Sequence, residues 1–333
     1  MSPLAGSDIL ITGGTGSFGR AFVAMTLKNF DPRRLVVYSR DEIKQWEMAK
    51  QYTGDSRVRF FIGDVRDSAR LERALDGIDY VVHAAALKIV PTAEYNPFEF
   101  VKTNIVGAMN IIDACIDRRV KRVVALSTDK ASAPVNLYGA TKLVSDKLFV
   151  SGNAYAGGHD TRFAVVRYGN VMGSRGSVIP LFLSLAGQGC LPITDPQMTR
   201  FMVTLEQGVE LVWHALQETE GGEVYVKKVP SVRITDIAQA IDPGAEHRIV
   251  GIRPGEKLHE QLIGGEDSRS TYEYADYYKI LPAIDAAGNS ARVKGGHKVP
   301  EGFVYTSDTN TDWMSTEALR HWIDANRQAL NGI

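Results

Sequence analysis

Over roughly the first half of the chain two hydrophobic periods alternate. Short runs dense in Val, Ile and Phe end on Gly, Asp or Ser, and the longer stretches between them return apolar residues at helical spacing. The short runs predict strands at Asp8–Thr12, Leu35–Ser39, Val58–Ile62, Tyr80–His83, Val123–Ser127 and Phe163–Arg167. The longer stretches predict helices at Phe18–Lys28, Glu42–Gln51, Ser68–Leu75, Pro97–Arg118 and Tyr138–Gly152. The strands are apolar almost throughout, as a parallel sheet covered on both faces requires. Strand alternating with helix predicts an α/β fold with a Rossmann-type doubly wound sheet. From about Asn170 the pattern loosens. Gly173, Gly176, Gly187, Gly189 and several prolines cut shorter pieces, with a helix near Glu206–Leu216 and strands near Glu223–Val226 and Arg248–Ile252. The stretch from Ser268, rich in Tyr, Asp and Gly, carries no assignable period.

Composition removes several classes of function. The 333 residues are 44% hydrophobic and 23% charged, ordinary for a folded chain with a sizeable core. Lys and Arg number 38 against 39 Asp and Glu, so no bulk charge draws the chain to nucleic acid or a membrane surface. The two cysteines, Cys115 and Cys190, form no CxxC pair, and neither a metal site nor a disulfide framework is expected. Met1–Ser7 does not read as a signal peptide, and no apolar run reaches the roughly 18 residues of a membrane span. A cytoplasmic location is expected.

Chemistry enters at the strand ends. The first strand runs into Thr12–Gly19, where Gly13, Gly16 and Gly19 make GxxGxxG around Thr15, Ser17 and Phe18. Bare backbone there lets a pyrophosphate approach, and the following helix offers free N–H groups to it. The same spacing also occurs in purely structural turns; its place between a strand and a helix favours a dinucleotide. At the second strand tip, Ser39, Arg40 and Lys44 present a hydroxyl and two cations, which suit the 2′-phosphate of NADP, while Asp41 argues for NAD. Asp64 and the Val65 backbone N–H are expected at the adenine ring, and the small Ala84, Ala85 and Ala86 let backbone lie against the dinucleotide. His83 reads as a packed histidine rather than a catalyst.

The fifth strand ends in Ser127-Thr128-Asp129-Lys130, followed by Tyr138 and Lys142, spaced i to i+4 on one helix face. A phenol near pH 10 needs a nearby cation to act as a base, and Lys142 and an oxidised nicotinamide would supply it. Tyr138 then takes the proton of a hydroxyl whose carbon gives up hydride. Asp129 and Lys130 add an acid and a base that simple dehydrogenation does not need. For those roles burial must raise the carboxyl and lower the amine, while their mutual attraction favours a plain ion pair.

At this point a resemblance carries the reading further. Thr12–Gly19, Tyr38–Asp41, His83–Lys88, Glu94–Pro97, Ser127–Lys130, Tyr138–Lys142, Arg167–Val171 and Arg253–Glu260 closely resemble the inverting UDP-N-acetylglucosamine 4,6-dehydratases, of the extended short-chain dehydrogenase/reductase type. The resemblance spans about residues 8–313, including Thr-Asp-Lys where broader sugar-nucleotide dehydratases have Thr-Asp-Glu. It departs at Ile89, where many relatives carry His. It implies the first step toward pseudaminic acid, a sugar of bacterial flagellin. Tyr138, helped by Thr128 and Lys142, would oxidise C4; Lys130 would take the C5 proton; Asp129 would protonate the departing C6 hydroxyl. Hydride return to C6 and protonation of C5 on the opposite face would give UDP-2-acetamido-2,6-dideoxy-β-L-arabino-hexos-4-ulose. It also implies Asn104 and Tyr168 at the cofactor, and Lys88, Asn170, Ser177, Val178, Thr194, Arg200, Arg253 and Glu256 at the UDP-sugar, with the two arginines on phosphate. A homo-oligomer is implied as well.

The organisation expected is an NADP-binding domain over residues 1–170, with later strands interleaved from about 220–240, and a mainly substrate-binding lobe over 171–333. The rivals are a UDP-sugar 4- or 5-epimerase and a non-catalytic NADP-binding regulator. A 4-epimerase has no use for the Asp129–Lys130 pair, and a regulator has no use for Tyr138 and Lys142. Membrane-anchored retaining dehydratases share the fold, and the resemblance to them lacks a tyrosine at position 138.

Overall fold

In a computed structural model that describes residues 4–174, 176–283 and 292–331, the apolar runs pair edge to edge in parallel. The first half follows the order β1 (Asp8–Thr12), α1 (Ser17–Asn29), β2 (Arg34–Ser39), α2 (Glu42–Ala49), β3 (Val58–Ile62), α3 (Ser68–Ala74), β4 (Tyr80–His83), α4 (Val90–Tyr95), α5 (Pro97–Phe100), α6 (Gly107–Asp117), β5 (Arg122–Thr128), α7 (Leu137–Tyr155) and β6 (Arg162–Tyr168). Pairing runs outward from β1 to β2 and β3 on one side and to β4, β5 and β6 on the other. Thr12 lies opposite both Tyr38 and His83, and Thr128 opposite Tyr168, so the C-terminal strand tips form one rim. The reversal of direction at β1 and β4 opens a crevice above that rim, where ligands of such sheets bind. Ile9, Leu10, Ile11, Val36 and Val124 are fully buried between the helix layers. Each such side chain contributes about 1.5–3 kcal/mol.

Two local features differ from the periodicity. The long run from Pro97 holds a π turn at Val101–Val106 between α5 and α6, which buries Thr103 and Asn104. Its apolar face is continuous across the turn, so the period does not betray it. The short α4 was not expected; Pro91 in its first turn starts it rather than breaking it.

The second half continues as β7 (Asn170–Val171), α8 (Val178–Leu185), β8 (Cys190–Ile193), β9 (Thr199–Val203), α9 (Leu205–Glu218), β10 (Val224–Lys227), β11 (Ser231–Arg233), α10 (Ile234–Ile241), β12 (Glu246–Ile249), β13 (Gln261–Ile263), β14 (Thr271–Glu273), β15 (Tyr277–Ile280), β16 (His297–Lys298), β17 (Tyr305–Thr306) and α11 (Thr316–Asn331). Strand β10 extends the main sheet in parallel beside β6. The stretch from Ser268 then adds β15, β14 and β16 antiparallel beyond it, completing the order β16-β14-β15-β10-β6-β5-β4-β1-β2-β3. The remaining strands form small sheets, β11-β9-β7, β12-β8 and β13-β17. Beside them α8, α10 and α11 close a second apolar core around Phe182, Ile193, Met202, Ile237 and Leu319. Among the described residues no helix is long and apolar enough to cross a membrane.

Candidate active site

The strand rim and the second core face each other across a cleft of about 890 Å³. On the sheet side its floor is the turn from β1 into α1. Gly13 sits at φ +66°, and a β-carbon there would lie 2.9 Å from the Ala85 backbone. The turn is therefore packed as tightly as bare backbone allows. Helix α1 starts at Gly16 with no side-chain cap and no acid in its first turn, so its N–H groups face the cleft unpaired by side chains. Thr15, Ser17, Phe18 and Gly19 line the same wall. That uncapped, glycine-lined helix start fits a pyrophosphate, and the residues present suit a dinucleotide.

Around the rim, Ser39, Arg40, Lys44, Asp64, Val65, Ala84, Ala85, Ala86 and Tyr168 all line the cleft. Asp41 caps α2 by accepting from the Lys44 N–H at 3.0 Å and pairs with Lys44 Nζ at 2.7 Å. Its carboxylate is thus engaged locally. Asp64 accepts from Arg66 at 2.8 Å and lies 3.8 Å from Arg40. Asn104 differs from expectation. Its amide accepts from the Leu87 N–H at 2.9 Å and donates to the Leu87 carbonyl at 3.0 Å and to Thr141 Oγ1 at 3.0 Å. It does not line the cleft; it ties the loop after β4 to α7. His83 is buried, with Nδ1 2.9 Å from Thr12 Oγ1, and burial, then Lys142, lowers its imidazole to about 3. It is neutral at physiological pH.

The catalytic candidates gather where β5 ends. Thr128 passes into a 3₁₀ turn at Asp129–Ala131, and α7 begins at Leu137, capped by Asn136, which accepts from the Gly139 N–H at 2.7 Å. Helix and turn touch at Gly139: a β-carbon there would run into the Lys130 carbonyl oxygen. This contact holds Tyr138 over Thr128 and Lys130. Burial pushes the Tyr138 phenol up to about 12, against the Lys130 charge and a hydrogen bond with Thr128, which pull it down. Lys142 Nζ donates to the Leu126 carbonyl at 2.7 Å, and burial lowers its ammonium.

Asp129 and Lys130 do not both face the ligand space. The Asp129 side chain is only 1% exposed and lies behind the cleft wall, whereas Lys130 is 23% exposed and lines it. Asp129 Oδ1 accepts from Thr128 Oγ1 at 2.9 Å and from Lys130 Nζ at 3.0 Å, so Asp129 reaches the cleft only through these two neighbours. Burial raises the Asp129 carboxyl, as expected. Lys130 is a correction. Burial lowers its ammonium, but the carboxylates of Asp129 and Glu260 outweigh that and hold it above the ordinary lysine value. Glu260 was not singled out as a site residue. Its Oε1 lies 3.0 Å from Lys130 Nζ and 3.8 Å from Arg200 Nε. The signal available was the density of charge in Arg253-Pro254-Gly255-Glu256-Lys257-Leu258-His259-Glu260, a turn that leads straight into apolar β13.

On the far wall Lys88, Asn170, Ser177, Val178, Thr194, Arg200, Arg253 and Glu256 all line the cleft. Their states differ. Arg200 is committed internally, donating to the Thr199 carbonyl at 2.7 Å and to the Leu258 carbonyl at 3.1 Å. Arg200 still lines the cleft, where the resemblance places it on phosphate. Arg253 stays exposed, 3.8 Å from Glu256. Burial, then Lys130, lowers the Lys88 ammonium. Ser177 Oγ, Glu256 Oε2 and Glu260 Oε2 are buried without hydrogen-bond partners among the described residues. Unpaired polar atoms on a cleft wall fit a ligand rich in hydroxyl groups. Among the described residues no cluster of His, Cys, Asp and Glu is arranged to hold a metal ion.

Residues 9–282 match the family model described as polysaccharide biosynthesis protein. The chain is 52% identical to a UDP-N-acetylglucosamine 4,6-dehydratase (inverting) from Campylobacter jejuni subsp. jejuni serotype O:23/36 (strain 81-176), over 94% of this chain and 96% of that protein. It is 41% identical to a UDP-glucose 4-epimerase from Rickettsia conorii, over 94% of each chain. Among solved structures it is similar to a double mutant of the dTDP-glucose 4,6-dehydratase DesIV from Streptomyces venezuelae, with NAD bound. That likeness has 26% identity and a TM-score of 0.69, and covers 78% of this chain and 89% of that one. The chain belongs to the polysaccharide biosynthesis protein family and, within it, to the group of the inverting UDP-N-acetylglucosamine 4,6-dehydratases.

Proposed function

We propose that this family member is an NADP-dependent, inverting UDP-N-acetylglucosamine 4,6-dehydratase, a hydro-lyase that forms UDP-2-acetamido-2,6-dideoxy-β-L-arabino-hexos-4-ulose. One observation carries the proposal: Lys130, backed by Asp129, lines the same cleft as Tyr138 and Lys142. Proton transfer at a hydroxyl needs Tyr138 alone. Removing a C5 proton and protonating a C6 hydroxyl needs the second pair. That argument favours dehydration over 4-epimerisation, the activity named for the Rickettsia relative.

A bound NADP would be held by the residue set 13–19 at its pyrophosphate, by Ser39, Arg40 and Lys44 at its 2′-phosphate, and by Asp64 and Val65 at adenine, with Ala84–Ala86, Tyr168 and Lys142 beside its nicotinamide half. NADP is supported over NAD by the two cations and by Asp41, whose carboxylate is engaged with Lys44. The cofactor, when bound, would supply reversible hydride transfer. Tyr138 takes the C4 hydroxyl proton, with Thr128 as its hydrogen-bond partner. Lys130 takes the C5 proton once C4 is a ketone. Asp129, through Thr128 or Lys130, supplies the proton on which the C6 hydroxyl leaves as water. The UDP portion lies along the far wall, with Arg253 at phosphate, Glu256 at a ribose hydroxyl and Lys88, Asn170, Ser177, Val178 and Thr194 around the sugar and nucleotide. Residues 1–170 build the cofactor half and 171–333 most of the substrate half. The enzyme works as a homo-oligomer in the cytoplasm, and its product enters pseudaminic acid synthesis for flagellin glycosylation.

Proton NMR of the purified protein with UDP-N-acetylglucosamine in deuterated water tests the reading. The expected product is a 6-deoxy-4-keto sugar of L configuration with deuterium at C5. A D-configured ketone removes the inverting role of Lys130, and UDP-N-acetylgalactosamine alone makes the chain an epimerase.

A further inference from the structure

Glu260 is held at its backbone by Ser307. Its backbone N–H donates to Ser307 Oγ at 2.9 Å, and its carbonyl accepts from the Ser307 N–H at 2.8 Å. Its side chain is only 2% exposed, yet it lines the cleft. Oε1 is 3.0 Å from Lys130 Nζ; Oε2 has no hydrogen-bond donor among the described residues and lies 3.9 Å from Lys257 Nζ. Asp129 Oδ1 stands 3.0 Å from the same Lys130 Nζ. The Lys130 ammonium therefore bridges two buried carboxylates that come from distant parts of the chain.

We propose that Glu260 is a positioning residue for the dehydration: it fixes Lys130 Nζ against the sugar and keeps the Asp129–Lys130 pair balanced as its protons move. The inference rests on the dehydratase reading above. In the elimination the C5–H pair becomes the C5=C6 bond and the proton passes to Lys130. The C6–O pair leaves with the oxygen, which takes a proton from Thr128 Oγ1 as Thr128 takes the Asp129 proton, and departs as water. The step draws on the minor form with neutral Lys130 and protonated Asp129 and returns the pair to its resting state, Lys130⁺ and Asp129⁻. A buried charge without a partner is costly, and Glu260 lowers that cost once Lys130 has taken the proton. Before the step its carboxylate is neutralised by Arg200 and Lys257; after it, Lys130⁺ has two carboxylates. The groups facing this cluster are Lys130 and Asp129 from the turn after β5, Tyr138 from α7, Arg200 from β9, Lys257 from the turn before β13 and Lys88 from the loop after β4. His259 points away, to Thr199 Oγ1.

The Glu260 carboxylate raises both Lys130 and Asp129. Removing it lowers both, so both limbs of the pH–rate profile move to lower pH together. A role in folding alone lowers the rate or the melting temperature and leaves the profile in place. The test uses the full chain with UDP-N-acetylglucosamine, comparing wild type, Glu260→Gln and Glu260→Asp. Product formation and C5 deuteration are followed across pH, and thermal unfolding is recorded in parallel. An acid shift of about 1–3 units is expected for Glu260→Gln, with a smaller shift in the same direction for Glu260→Asp, whose carboxylate is drawn back from Lys130. If Glu260→Gln does not fold, Glu260→Asp carries the test alone. An active wild type with unmoved variant profiles overturns the inference and leaves the dehydratase standing. A wild type that makes no 6-deoxy-4-keto sugar overturns both.

Discussion

Gly139→Ala separates Tyr138 from the acid and base at the end of β5. The added β-carbon overlaps the Lys130 carbonyl oxygen and lies 3.1 Å from both the Lys130 carbonyl carbon and Pro134 Cβ. Backbone and a proline ring have no rotamer to yield, so α7 must back away from the 3₁₀ turn by about 1 Å. The overlap costs about 1–3 kcal/mol. Ala in place of Gly regains at most about 1 kcal/mol of helix propensity, which leaves a net loss of about 0–2 kcal/mol in unfolding by urea. The effect on rate is larger, because a displacement of about 1 Å at the reacting groups costs about 100-fold, equivalent to about 2.7 kcal/mol in the barrier. Gly152→Ala is the internal control. It lies on the same helix, far from the cleft, and its β-carbon meets only the side chains of Phe163 at 3.2 Å and Ile112 at 3.4 Å. Turnover measured by NMR is expected to fall for Gly139→Ala and to hold for Gly152→Ala. Equal rates for the two variants would refute the claim that this contact positions Tyr138.

His83 sets an acid limit on stability. Its imidazole falls to about 3 in the fold, while an unfolded histidine titrates near 6.5. The unfolded chain therefore binds the extra proton first, and stability present above about pH 6.5 is lost as pH falls toward about 3. The loss is of order 5 kcal/mol; urea midpoints against pH are expected to flatten over that window in His83→Asn, and an unchanged slope would contradict the assignment. For the cofactor, Arg40→Ala with Lys44→Ala is expected to weaken NADP binding by about 10–100-fold with little change for NAD, measured by fluorescence titration. Equal losses for both dinucleotides would remove the 2′-phosphate role.

The parts legible in the sequence share one property: their signal is local. Strand limits read from Val, Ile and Leu runs meet the structure within a residue, as at β1 and β4, because both faces of those strands are covered. Tyr138 and Lys142 are readable because one helix carries both. What escaped is tertiary. The Tyr-rich β14 and β15 are too short for a period to emerge and take shape only against β10. Asn104 looks like a ligand in sequence because nothing there shows that Leu87 and Thr141 occupy its amide. The protonation of Lys130 stays open in the sequence for the same reason, since a carboxylate far along the chain adds to that of Asp129.

The placement of Glu260 beyond β6 and β10 also bears on biosynthesis. As the chain leaves the ribosome, β1 to β6 and the glycine turn can assemble first. Strand β6 then has an uncovered edge until Val224–Lys227 emerges to pair with it. A bare apolar edge is a site for off-pathway pairing, and a dinucleotide arriving early would hold the nascent half together while synthesis continues. The Lys130 ammonium waits longer still, for Glu260 and then for Ser307 to clamp it. Competence to bind the dinucleotide would thus precede competence to react by the time needed to translate the last third of the message, and a polypeptide truncated before Glu260 would be a cofactor-binding domain without the chemistry.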